Sequence, residues 1–148
     1  MTVNEQYREA MGKALFLANR ARETGDVPVG AVVVDAGGRI IGRGWNCREG
    51  HHDPTGHAEV VALREAGCAL GTWRLTGCTL VVTLEPCTMC AGALHWARLG
   101  EVIYGASEEK FGYQRYAPEI FPRATKVRGG VLAEEARALM QSFFRARR

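Results

Sequence analysis

The sequence predicts an α/β fold, a three-layer α/β/α arrangement around a mixed five-stranded central sheet. Three observations carry this. Near the N-terminus Tyr7, Met11, Ala14, Leu15 and Ala18 recur at helical spacing. Two apolar runs then flank Ala36-Gly37-Gly38 in the manner of a hairpin. Further on, a strand, a helix and another strand succeed one another, and such a crossover makes the two strands parallel neighbours.

In chain order, the first twenty or so residues form an amphipathic helix. Residues 28–34 read as a strand, Ala36-Gly37-Gly38 as the turn and residues 39–46 as the second hairpin strand. A polar loop follows, closed by the breaker pair Asp53-Pro54 and then Thr55-Gly56, after which His57 opens a helix. Gly77 and Cys78 precede an apolar strand over 79–84, Pro86 marks a strand-to-helix junction, and a helix runs from Cys87 to about Arg98. Residues 101–105 form the next strand, 106–125 are irregular, and 126–131 make a final short strand. From Ala133 a terminal helix presents Leu139, Met140, Phe143 and Phe144 as its apolar side.

The chain has 148 residues, 47% hydrophobic and 24% charged, which suits one domain over 1–148 with its own core. No apolar stretch is long enough to span a membrane, and the N-terminus lacks a basic-then-apolar signal pattern. Five cysteines, an odd number without framework spacing, argue against a disulfide scaffold and for a reducing compartment, the cytoplasm. Charge is uneven. Residues 1–109 carry ten Lys or Arg against thirteen Asp or Glu, whereas residues 110–148 carry nine against three. That asymmetry, which takes in Lys110, Arg115, Arg145, Arg147 and Arg148, points to a polyanion near the C-terminal quarter. A solvated helix end complementing its own dipole is the plainer alternative.

The chemistry-bearing residues are His57-Ala58-Glu59 and, about thirty positions on, Pro86-Cys87-Thr88-Met89-Cys90. This H-x-E…P-C-x-x-C pattern is the known signature of the zinc-dependent nucleobase deaminases. A catalytic zinc takes three protein ligands and keeps a fourth position for water, whose pKa it lowers. His57, Cys87 and Cys90 supply three, and Glu59 stays off the metal to move protons. Cys87 and Cys90, at i and i+3, face one way at a helix start, whose positive end favours thiolates. His57 and Glu59 would diverge in mid-helix, so both belong to the first turn. A structural zinc would need a fourth ligand from Cys47, Cys68, Cys78, His51 or His52, none of which is tightly paired with another candidate. The cysteines outside the motif read as small buried hydrophobes.

Beyond the metal motif, Val27-Pro28-Val29-Gly30-Ala31-Val32, Gly44-Trp45-Asn46, Asp53 through Glu59, Val82 through Ala93 and the ending from Gly130 to Arg145 resemble the bacterial tRNA adenosine deaminases. Those enzymes convert the wobble adenosine of an anticodon to inosine. The likeness covers most of the chain. It implies a cytidine deaminase-like fold, one zinc ion per chain, a tRNA anticodon loop as substrate, and a homodimer whose active site the partner subunit completes. Carried over by position, Asn46 hydrogen-bonds the flipped purine and the Ala58 backbone N–H contributes from the first helical turn. Val27, Pro28 and Leu84 line the pocket or simply pack the core.

The chain departs from that family in places. Gly56 stands where alanine is usual before the metal histidine. Residues 106–125 replace a small-residue-rich run with one containing Glu108, Lys110, Phe111, Tyr113, Arg115 and Tyr116. These aromatics either stack on bases or anchor the loop. His95-Trp96-Ala97-Arg98 is similar to guanine deaminases, which act on a free base, so a free-base or nucleoside deaminase is the alternative activity. A non-catalytic, zinc-stabilised RNA-binding module is a third reading, for which Glu59 would be dispensable. The basic final quarter and the shared ending favour an RNA substrate.

Overall fold

The computed structural model describes residues 1–147; Arg148, one of the C-terminal basic groups, lies outside the described residues. Helix α1 (Val3–Arg22) begins with a capping box: Glu5 N–H donates to Thr2 Oγ1 at 3.1 Å, and Thr2 N–H donates back to the Glu5 carboxylate at 3.2 Å. Strands β1 (Gly30–Val34) and β2 (Ile40–Trp45) form the expected hairpin. The chain continues through α2 (Arg48–His51), α3 (Ala58–Leu70), β3 (Thr79–Leu84), α4 (Thr88–Trp96), β4 (Glu101–Ala106), α5 (Tyr113–Tyr116), β5 (Lys126–Arg128) and α6 (Ala133–Ala146).

The five strands lie in the order β2-β1-β3-β4-β5. β1 runs antiparallel to β2 and β3, while β3, β4 and β5 are mutually parallel, so the sheet is mixed as predicted. Successive strand side chains face opposite ways, and the middles of the central strands (Ala31–Val33, Leu80–Val82, Val102–Ile103) are apolar on both faces because both faces are covered. Val32, Val81 and Ile103 meet Tyr7, Met11 and Leu17 of α1 on one face. Ala31, Val33, Leu80, Val82 and Val102 meet Ala58, Ala62 and Ala66 of α3 and Ala91 and Leu94 of α4 on the other. Three layers result.

Close approach of α3 to β2 depends on Gly42 and Gly44. A Cβ at either would collide with a helix carbonyl, that of Ala62 or Ala58 respectively. Glycine here lowers the first turn of α3 onto the strand backbone and thereby fixes where His57 emerges. α3 and α4 both begin at the end of the sheet where β3 finishes, the edge at which open α/β sheets carry their sites.

Several boundaries differ from expectation for local reasons. β1 starts at Gly30 rather than residue 28, since Pro28 has no N–H for a ladder and Val29 N–H turns back to Val27 O at 2.9 Å. The polar loop contains the single turn α2, and the irregular 106–125 segment contains α5. α4 stops at Trp96, just before Arg98 takes φ 58. β5 has three residues, with Gly130 at φ 99 soon after. Cys47 and Cys78 are buried as expected, but Cys68 is exposed because it lies on the outer side of α3.

A candidate metal centre and its pocket

Two helix starts build the centre. Thr55 N–H and Oγ1–H both donate to Asp53 Oδ1, at 2.9 and 2.8 Å, and Gly56 N–H donates to Asp53 O at 3.0 Å. This Asx-type turn delivers His57 in extended conformation as the N-cap of α3, with Glu59 in the first turn. Cys47 N–H fastens the approach by donating to Gly56 O at 2.8 Å. Cys47 also explains the glycine: a Cβ on Gly56 would come within 3.2 Å of the Cys47 sulfur. Cys87 is likewise the extended N-cap of α4, and Cys90 lies one turn inside and fully buried.

One nitrogen of His57 and the sulfurs of Cys87 and Cys90 all lie within 4.8 Å of one another, with His57 Nδ1 and Cys87 Sγ at 3.7 Å. Neither His51, His52, Cys47, Cys68 nor Cys78 joins this group, so no fourth protein ligand closes it among the described residues. Glu59 stays outside the trio, 4% exposed, within hydrogen-bonding reach of Cys90. The predicted site residues therefore converge, and the carboxylate sits where it was expected.

The electrostatics fit a cation. The Cys87 thiol is lowered to about 4, chiefly by a hydrogen bond from Cys90, with His57 adding to it. That same bond, together with burial, pushes the Cys90 thiol up. The neighbouring Cys87 raises the pKa of His57. Burial raises Glu59 to about 7. A metal ion among two sulfurs and an imidazole requires thiolates and a neutral imidazole, so its binding releases protons. Imidazole plus two thiolates is a zinc donor set, and three ligands are what a catalytic zinc requires.

A cavity of about 530 Å³ stands over His57, Glu59 and Cys87. Val27 and Leu84 wall it as expected; Val29 takes the place foreseen for Pro28. Asn46 also faces it, 6% exposed. The Ala58 N–H donates to Asn46 Oδ1 at 2.9 Å, so it orients that amide rather than lining the cavity itself. Asn46 keeps its Nδ2 donors free of that bond. Arg48, Glu85, Met140 and Phe144 also line the cavity, none of them foreseen. Only Glu85 had any signal, its place at a strand end beside Pro86 and the first cysteine, and that signal does not say what it bonds. Trp96 lies elsewhere, 64% exposed, on the outer side of α4.

Residues 4–106 match the family model for the cytidine and deoxycytidylate deaminase zinc-binding region. The chain is 42% identical to a tRNA-specific adenosine deaminase of Haemophilus influenzae, over 99% of this chain and 88% of that one. It is 50% identical to part of a tRNA(Ile)-lysidine synthase of Deinococcus radiodurans, where it spans 24% of the relative's length. Among solved structures, one from a study of A-to-I editing by tRNA:A34 deaminases superposes with TM-score 0.83 at 39% identity, covering 89% of this chain and 99% of that one. Guanine deaminase from Nitrosomonas europaea superposes with TM-score 0.78 at 26% identity, over 90% of this chain and 82% of that one. The chain thus belongs to the zinc-binding cytidine and deoxycytidylate deaminase family, in its tRNA-specific adenosine deaminase branch.

Proposed function

We infer that the protein is a zinc-dependent hydrolase that deaminates adenosine to inosine at the wobble position of a tRNA anticodon, with residues 1–148 acting as one deaminase domain. The observation that carries the chemistry is the open trio: three donors converge at a cavity floor, and the nearest carboxylate, Glu59, is left out of the group. His57, Cys87 and Cys90 would hold the metal. Zinc in such a site acidifies water to a nucleophile at neutral pH. Glu59, buried at the cavity floor, would carry one proton of the water to the purine ring nitrogen and the other to the departing amine, which leaves as ammonia. Asn46, its Oδ1 fixed by Ala58, offers Nδ2 to the purine edge. Val27, Val29 and Leu84 exclude water around the extruded base. The likeness to the Haemophilus enzyme over nearly both full lengths supports tRNA as the substrate.

A homodimer is part of this reading. Trp73 and Trp96 are 58% and 64% exposed along an apolar groove between α3 and α4 that also includes Leu63, and a second copy is the occupant that fits. Sedimentation would show twice the mass of one chain, falling toward one mass on Trp96→Glu. No helix among the described residues is long and apolar enough to cross a membrane, and the cytoplasm is the proposed location.

The deciding experiment is ammonia release from a panel: an anticodon stem-loop with wobble adenosine, guanine, cytosine, adenosine and single-stranded DNA. The stem-loop should react and guanine should not. Turnover of guanine alone would establish the free-base alternative. Full biological effect in a Glu59→Ala variant would instead favour a non-catalytic RNA-binding module.

A further inference from the structure

Of the four aromatics in residues 106–125, Phe111, Tyr113, Tyr116 and Phe121, only Phe111 lines the cavity. Tyr113 is buried and packs edge-on against Phe121, ring centroids 5.0 Å apart, so it anchors the loop. Tyr116 is exposed with the Arg115 guanidinium 5.6 Å from its ring and does not line the cavity. Phe111 lines it and is 64% exposed. An apolar ring left open beside a catalytic cavity needs an explanation that loop anchoring does not supply.

The turn that carries the ring is fixed by hydrogen bonds. Glu85, 5% exposed, accepts from Glu108 N–H through Oε1 at 3.1 Å and from Gln114 N–H through Oε2 at 3.2 Å. One buried carboxylate thus pins both ends of the turn that carries Phe111. Gly112 N–H closes the turn on Glu108 O at 3.0 Å, and Tyr113 N–H reaches Pro86 O at 2.8 Å. A Cβ at Gly112 would collide with the Glu85 carboxylate and Glu108 O, so the turn packs directly on its clamp. The Glu108 carboxylate is engaged by Lys110 N–H at 2.8 Å. Lys110 and Arg48 both line the cavity, both are exposed, and neither side chain forms an ion pair among the described residues. An exposed aromatic on a fixed turn, flanked by unpaired cations, is the composition of a single-stranded nucleic-acid subsite, where rings stack on bases and cations meet phosphates.

We propose that the Glu85-clamped turn is the subsite for a nucleotide adjoining the target, with Phe111 stacking on its base and Lys110 and Arg48 meeting the backbone phosphates. Glu85 is a positioning residue in this arrangement, acting on the substrate through the turn. The inference rests on the RNA-deaminase reading above and assigns that reading's substrate contacts beyond the reacting base.

The test is a cycle of protein and RNA changes, read as kcat/KM on an anticodon stem-loop. Wild type should lose about tenfold when the nucleotides flanking the wobble adenosine are abasic, within the range of one base–aromatic stack. Phe111→Ala should lose a similar factor on the intact loop and nothing further on the abasic one. Phe111→Trp should restore the wild-type value, and zinc content and melting temperature should stay unchanged because the ring is exposed. Glu85→Gln, which turns one acceptor into a donor, should reproduce the Phe111→Ala loss without adding to it. Equal losses for Phe111→Ala on intact and abasic loops, or no loss on either, would overturn the subsite while leaving the RNA reading intact. A wild-type enzyme that leaves the stem-loop untouched and consumes guanine would overturn both.

Discussion

The floor and the mouth of the cavity are built by opposite means. At the floor, His57 and Cys87 are half-buried N-caps of two helices pressed against a sheet, and Glu59 and Cys90 follow within one turn, both buried. At the mouth, Arg48 comes from a single turn, Phe111 from a tight loop and Phe144 from the terminal helix, and all three are exposed. The candidate metal ligands are thus held by secondary structure and tertiary packing, whereas the proposed substrate contacts sit on a loop and short or terminal elements. The comparison teaches where a deaminase can vary: a departure in 106–125 alters what reaches the floor, not what happens there.

The largest effects should come from breaking the floor. Cys87→Ala or His57→Ala should abolish both zinc retention, read by elemental analysis, and ammonia release. Glu59→Ala should separate the two, keeping about one zinc per chain while activity falls on the order of 10²–10⁴-fold. If Glu59→Ala also lost the metal, the division between ligands and proton carrier would be wrong.

The scaffold beneath the floor comes next. Gly44→Ala should force α3 off β2 and cost about 1–3 kcal/mol in denaturant unfolding, as overpacking does. Asn46→Ala leaves the buried Ala58 N–H without its acceptor and should cost about 1–3 kcal/mol. Asn46→Asp keeps an acceptor for Ala58 but loses the donors. It should keep more stability than Asn46→Ala while still raising KM.

Sequence legibility follows the same division. The trio and Glu59 were readable because their geometry is set by short spacings at helix starts, which breakers such as Asp53-Pro54 and Pro86 announce. β3 was readable to the residue, being an apolar run between Cys78 and Glu85. The mouth was not. α2 and α5 are single turns with no period to detect. Met140 and Phe144 share the apolar side of α6 with buried Phe143, and periodicity alone does not separate core from pocket. Glu85 bonds to backbone N–H groups, which leave no mark in the sequence. Trp96, which the sequence tied only to a stretch similar to guanine deaminases, is exposed on the outer side of α4 and away from the cavity.

The smallest expected effect belongs to the mouth. Lys110→Ala should reduce the slope of log affinity against log salt by about 0.7 for a single-stranded loop, measured by fluorescence anisotropy across a salt series. Removal of a floor residue such as Glu59 should leave that slope unchanged. A shift of the slope by Glu59→Ala equal to that of Lys110→Ala would erase the distinction between the two regions.

X-ray absorption at the zinc edge tests the central claim most directly. The account predicts about one zinc per chain, with two sulfurs at roughly 2.3 Å and two lighter atoms at roughly 2.0–2.1 Å, one of them not from the protein. A shell of three or four sulfurs, a second imidazole completing the tetrahedron, or no tightly held zinc would contradict it.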